Sequence, residues 1–346
     1  DNEKFADSLS YRERIRQLGI PVRELEVDGR IVVTVLGANG LPASGAVVTF
    51  TTADVAVTLR STADGSVRFH PAAYDISGSL ITVQAGDAKA DVAAGDDLEL
   101  LTDLPGGAVT PMAMDVMFLL DATGSMDDEI AQLKSTISEV AGRIGDLPVA
   151  PDVRFGMTLY RDLEDSFVTS TFDLTNDIVA FDEALSAVVA EGGGDYAEAL
   201  DEGLAAALSE PSWRGPGEAI QLVFLVGDAP PQVGRGTQQT YTTSMLDAAA
   251  RGIKIFPVSS SGTDDQAEFV FRQLAQFTGG RYVFLSYGAG GRATGETSDI
   301  SEVDYEELAL DDLIVRLVAE EIADLTGDET VVPPPQTTTT QTNPNG

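Results

Sequence analysis

The chain has 346 residues, 43% hydrophobic and 22% charged, a balance that suits folded protein and a length that suits two domains. Its net charge of −35 excludes a nucleic-acid partner, which needs clustered Lys and Arg, and opposes docking on an anionic bilayer. With no cysteine, disulfide frameworks, thiolate zinc sites and cysteine nucleophiles are excluded.

Any Ser-His-Asp triad or histidine-rich metal site would have to be built on the one histidine, His70. It lies far in sequence from every acidic cluster and reads as a surface or turn residue. No apolar run is long enough to span a membrane. The charge suits a secreted acidic protein, one adapted to high salt, or one that binds cations. Lysine is rare beside aspartate, which leans towards salt adaptation or a GC-rich genome. The chain begins at Asp1 rather than Met, so a trimmed leader or anchor is expected.

Residues 1–26 read as a polar, partly helical leader. From 27 to 104 short β-like runs follow: "RIVVTVLG", "GAVVTFTT", "VAVTLRS", "SVRFHP", "SLITVQAG" and "AKADVAA". Turn signals such as Asn39-Gly40 and Asp64-Gly65 separate them at the spacing of a β-sandwich. The phrases "GANGLPASGAVVTF" and "TADGSVRF" resemble small sandwich modules of the carboxypeptidase-regulatory or bacterial Ig-like kind. That resemblance implies a spacer or accessory module of an extracellular protein.

Residues 105–113 form a linker broken by Pro105, Gly106, Gly107 and Pro111. From 114 to 327 strands alternate with helices, which predicts a doubly wound, mostly parallel six-stranded α/β sheet. The apolar runs "VMFLL" and "LVFLV" suit central strands buried on both faces. Residues 328–346 are Pro- and Thr-rich and read as an extended tail.

Open α/β sheets bind ligands beyond the carboxyl ends of their strands, and acidic motifs lie there. Asp121, Thr123 and Ser125 follow the first strand of the α/β region; Asp195 lies in the loop "EGGGDYAEAL"; Asp228 ends "LVFLVGDAPP". All are hard oxygen donors, suited to Mg²⁺ or Mn²⁺, or to Ca²⁺, rather than zinc or copper. In Asp-x-Thr-x-Ser, positions i, i+2 and i+4 of a tight loop can turn their oxygens to one point, and Gly124 keeps the loop clear of a side chain.

Each residue also has a plainer reading. Ser125-x-x-Asp128 fits a capping box, Asp228 a turn aspartate, and Asp195 a helix N-cap. Asp162 in "LYRDLED" reads as a structural partner of Arg161, and Asp127, Asp128 and Glu129 as a favourable acidic first helical turn.

Together these motifs resemble the von Willebrand factor type A domain and its metal-ion-dependent adhesion site. Asp121, Thr123 and Ser125 match that site's first loop and Asp228 its last position. Asp195 stands where many members have Thr, although a subgroup carries Gly-Gly-Gly-Asp there; "YRD" (Tyr160–Asp162) and "DAPP" (Asp228–Pro231) resemble the same subgroup. The resemblance implies a non-catalytic, extracytoplasmic binding or adhesion protein that engages a protein ligand through a divalent metal, with no membrane insertion of its own. A third carboxylate at Asp195 would neutralise more of the cation and weaken its pull on an incoming carboxylate. The ion could then grip a ligand or brace the fold. Two other readings stand beside this one: an intracellular assembly protein working with a partner ATPase, and a metal-assisted hydrolase using Asp121, Asp195 and Asp228.

Overall fold

A computed structural model describes residues 2–78, 80–108, 112–194, 196–237, 239–260, 262–284 and 310–333. The first helix, α1 (Phe5–Leu18), places Tyr11 and Ile15 against Phe269. Seven strands follow: β1 (Ile31–Leu36), β2 (Val47–Thr51), β3 (Ala56–Arg60), β4 (Ser66–Phe69), β5 (Leu80–Ala85), β6 (Ala88–Ala93) and β7 (Leu98–Leu101). They form two sheets, ordered β4-β1-β7 and β3-β2-β5-β6. The inward residues of β1, Ile31, Val33 and Val35, alternate with half-buried ones and face Phe50, Ile81 and Val83 of the other sheet. Phe50 and Phe69 stack at 4.0 Å across this core. Strand β7 is an addition to the sequence expectation. Its run "LELL" is too short to signal a strand without β1 as a parallel neighbour.

The second region comprises β8 (Ala113–Asp121), α2 (Asp127–Gly145), β9 (Asp152–Tyr160), β10 (Thr169–Thr175), α3 (Ile178–Ser186), α4 (Leu200–Ser209), β11 (Ile220–Gly227), α5 (Tyr241–Arg251), β12 (Lys254–Ser259), α6 (Asp265–Thr278), β13 (Val283–Phe284) and α7 (Leu310–Thr326). Among the described residues they build the expected six-stranded sheet, ordered β10-β9-β8-β11-β12-β13, parallel except for β10. In β8, Val116, Phe118 and Leu120 enter the core under α2, α3 and α7, while Met117 and Leu119 enter the one under α4, α5 and α6. Strand β11 repeats the pattern with Leu222, Phe224 and Val226 against Val223 and Leu225. Each such fully buried side chain contributes about 1.5–3 kcal/mol, which is why the runs Val116–Leu120 and Leu222–Val226 at the middle of the two strands are apolar without interruption.

Chain order reverses between β8 and β11: β9 lies on one side of β8 and β11 on the other. The crevice at their carboxyl ends is the switch point of the sheet. The two regions are in contact at the opposite end. There His70, buried rather than at the surface, stacks on Phe277 of α6 with ring centroids 4.1 Å apart. Its position before Pro71 suggested a turn, and it does precede a short 3₁₀ turn (Pro71–Tyr74), but packing against α6 hides it. Most of the Pro/Thr-rich tail and residues 109–111 of the linker lie outside the described residues.

Candidate metal centre at the sheet switch point

Asp121 is the last residue of β8 and is fully buried. It continues the parity of Met117 and Leu119, so strand geometry alone turns its carboxylate inward. Its Oδ1 accepts the Thr123 amide at 3.0 Å and the Thr123 hydroxyl at 2.6 Å, a local turn that bends the chain out of the strand. Its Oδ2 is buried with no hydrogen-bond partner among the described residues. Burial pushes the Asp121 carboxyl up to about 7; the two Thr123 donors pull it back, neighbouring Asp228 pushes it further up, and the nearby Tyr160 hydroxyl pulls it down.

Thr123 leads into a 3₁₀ turn (Gly124–Met126) and then α2. The helix has Met126 at its N-cap and no side-chain cap, so the capping-box reading of Ser125 does not hold. Freed from that role, the Ser125 hydroxyl lies 3.4 Å from the Thr123 hydroxyl and close enough to Asp228 to pull its carboxyl down. Asp127, Asp128 and Glu129 do form the acidic first turn of α2.

Asp228 follows Gly227, the last residue of β11, and is almost fully buried. Burial raises its carboxyl, against the pull of the Ser125 hydroxyl. Gly227 permits this close approach: a Cβ there would stand 2.7 Å from the Tyr160 hydroxyl and 3.4 Å from Asp121 Cβ. That hydroxyl, from the end of β9, is a second buried polar atom, near enough to Asp121 for the two to shift one another's pKa but outside hydrogen-bond geometry with any described residue.

The structure thus brings Asp121, Thr123, Ser125 and Asp228 together. Asp195 lies outside the described residues, but the glycines before it are placed. The Gly124 amide donates to the Gly192 carbonyl at 3.3 Å, and a Cβ on Gly193 (φ +83°) would stand 3.3 Å from Thr123 Cβ. This glycine-rich segment therefore lies directly on the Asp-x-Thr-x-Ser loop, in a backbone conformation that favours glycine.

Two further residues went unnoticed in the sequence. Glu198 is 4% exposed, and its Oε1 is 3.0 Å from the position a Gly193 Cβ would take. It lies in the loop before α4, which starts only at Leu200. Tyr160 carried a signal in "YRD", but nothing local shows that its hydroxyl points at Asp121. The expected pairing of Asp162 with Arg161 is replaced by a different arrangement. Arg161 binds Ser166, Glu191 and the Val189 carbonyl, and Asp162 Oδ1 accepts the Gln232 amide at 2.6 Å. The two side chains leave the strand end in opposite directions in their bonding, one to the α3–α4 connection and one to the segment after β11.

Among the described residues no three His, Cys, Asp or Glu side chains form a metal-binding group by themselves. The donor set is mixed, two carboxylates with two hydroxyls, and its chemistry fits a hard divalent cation. Two neighbouring carboxylates, one with an unsatisfied buried oxygen, are costly without a counter-charge, and a cation would relieve that cost.

Residues 115–286 match the family model of the von Willebrand factor type A domain. The alpha-protein kinase vwkA of Dictyostelium discoideum is 31% identical over 118 residues, which are 34% of this chain. The matched stretch is only 18% of the length of that curated relative. The crystal structure of the pilus adhesin SpaC from Lactobacillus rhamnosus GG, in its open conformation, aligns with 71% of this chain and 32% of that one, at 12% identity and a TM-score of 0.41.

Proposed function

Residues 115–286 being a von Willebrand factor type A domain preceded by an all-β region, we propose that the chain is a non-catalytic, extracytoplasmic protein-binding module that engages its partner through a divalent-metal site at the switch point of the sheet. Asp121, Thr123, Ser125 and Asp228 hold Mg²⁺, Mn²⁺ or Ca²⁺ there, with Asp195 as a further ligand from the glycine-rich loop. The observation that carries this reading is the buried, unpartnered Asp121 Oδ2, set among hydroxyls that are already mutually oriented. When bound, the cation offers a coordination position to an oxygen of the partner protein. Thr123 fixes the rotamer of Asp121, and Ser125 places its hydroxyl between Thr123 and Asp228. Residues 27–104 serve as an accessory module at the far end of the sheet, and the Thr- and Pro-rich tail supports an extracytoplasmic setting.

The test is calorimetric titration of the full chain with Mg²⁺, paired with capture of partners from its native surroundings in Mg²⁺ or in EDTA. Wild type binds one cation and captures a partner only with Mg²⁺, and Asp121→Ala does neither. A wild-type chain indifferent to millimolar Mg²⁺, Mn²⁺ and Ca²⁺ rules the reading out.

A further inference from the structure

The segment between α1 and β1 reaches the loops of this centre through one side chain. The Arg23 Nη1 donates to both carboxylate oxygens of Asp201, at 3.1 and 2.8 Å, in the first turn of α4. Its Nη2 donates to the carbonyls of Gln232 and Val233, at 3.3 and 3.1 Å, in the loop that begins with Asp228. Asp201 also accepts the amide of Tyr241 at the start of α5, at 2.6 Å. The Tyr241 hydroxyl in turn accepts the Arg23 amide and donates to the Arg23 carbonyl. The Arg23 side chain is 19% exposed and that of Asp201 only 2%.

From Gln232 the connection continues inward. Its side-chain amide donates to Asp162 Oδ1 at 2.6 Å and to the Ala197 carbonyl at 3.1 Å. The neighbouring Pro230 carbonyl accepts the Glu198 amide at 2.9 Å. Asp162 is itself 3.4 Å from the position a Cβ on Gly194 would take. One guanidinium from outside residues 115–286 therefore ties together the loop after β11, the start of α4 and, through Gln232, the end of β9. These connections flank Asp228 and the glycine-rich loop. The strap that carries Arg23 is itself anchored. Buried Arg12 of α1 pairs with Glu24 at 2.9 Å and donates to the Leu25 carbonyl and to Gln273 and Gln276 of α6.

We propose that Arg23 is a positioning residue for the divalent-metal site, setting the separation between the Asp228 loop and the glycines at 192–194 that lie on the Asp121–Ser125 loop. A planar guanidinium suits this task because its fixed fork serves a carboxylate on one side and two carbonyls on the other. The inference rests on the metal reading above and adds to it a residue that lies some hundred residues before the first ligand in the chain. Groups that orient metal ligands at one remove change metal affinity by about 10–100-fold when lost.

The experiment measures Mg²⁺ affinity by calorimetry and the melting temperature in EDTA, on full chains carrying Arg23→Gln, Arg23→Lys, Gln232→Ala or Arg154→Gln. Arg154 pairs with buried Asp115 at the opposite end of the sheet, so its loss lowers the melting temperature without touching the centre. Arg23→Gln and Gln232→Ala are expected to weaken Mg²⁺ binding by at least about tenfold, Arg23→Lys by less, and Arg154→Gln not at all. If Arg23→Gln does not fold, Arg23→Lys decides the matter: Mg²⁺ binding weakened about threefold or more supports the role, and binding within about twofold of wild type overturns it. Mg²⁺ binding by Arg23→Gln and Gln232→Ala within about twofold of a wild type that does bind overturns the positioning role and leaves the metal reading intact. A wild type that binds no cation overturns both.

Discussion

Lys254, the first residue of β12, donates to Glu321 of α7 at 2.7 Å, and the two side chains are only 5% and 6% exposed. Asp64, in the turn between β3 and β4, stands 3.9 Å from the same ammonium. The N-terminal β region, the sheet and the last helix thus converge on one buried positive charge. Burial drives the Glu321 carboxyl up to about 7 against the pull of Lys254. The Lys254 ammonium is held above its ordinary value because Glu321 and Asp64 outweigh its burial. Lys254→Met leaves buried Glu321 without its partner and Asp64 with Arg68 alone, and is expected to destabilise the chain by about 3–5 kcal/mol, while pairing it with Glu321→Leu restores part of the loss. Urea-denaturation midpoints of the single and double variants check this; a single variant as stable as wild type contradicts it.

At the metal centre, Thr123→Val keeps the side-chain volume but removes the hydroxyl that holds Asp121 at 2.6 Å. A hydrogen bond to a charged group contributes about 1.5–3 kcal/mol, so above about pH 7, where Asp121 is ionised, the metal-free protein should lose stability of that order. Mg²⁺ affinity should fall at the same time, and Thr123→Ser should preserve both. Calorimetric titration of the two variants side by side distinguishes the hydroxyl from the methyl group.

The pH dependence of the metal-free protein follows from Asp121. Its folded-state carboxyl is raised by burial to about 7, above the unfolded value, so the native state holds a proton that the unfolded chain has lost. The stabilisation it provides is complete below the unfolded value and disappears as pH rises through about 7. In EDTA, wild type should lose stability relative to Asp121→Asn at up to about 1.4 kcal/mol per pH unit across that window. Mg²⁺ affinity should rise over the same range, since the cation displaces the proton. Equal pH profiles for the two proteins would refute the assignment.

His70 acts in the opposite sense. Burial lowers its imidazole from 6.5 to about 3, assisted by Arg30, Arg12 and Arg68, and its Nε2 has no hydrogen-bond partner among the described residues. The neutral ring therefore stabilises the fold above the unfolded value, and that contribution is lost as pH falls from about 6.5 towards 3. His70→Phe retains an aromatic ring against Phe277 and should flatten the acid limb of stability against pH, measured as the melting temperature between pH 7 and 4.

The α/β architecture and one loop of the centre were legible in the chain because both rest on local physics. The middle of a strand buried on two faces is apolar at successive positions, so "VMFLL" and "LVFLV" identify β8 and β11. Asp121 and Thr123 meet through a turn only two residues long, so their spacing already implies their hydrogen bonds. What the tertiary structure decided are the meetings of residues distant in sequence. Tyr160 reaches Asp121 only because β9 lies beside β8, and Glu198 joins the centre only because α4 starts late. His70 is buried because α6 covers it, and Arg23 reaches Gln232 and Val233 because α1 is fastened to α6. Periodicity and turn chemistry act over a few residues, whereas charge pairing and burial act across space, and that difference in range divides what the chain announces from what only folding reveals.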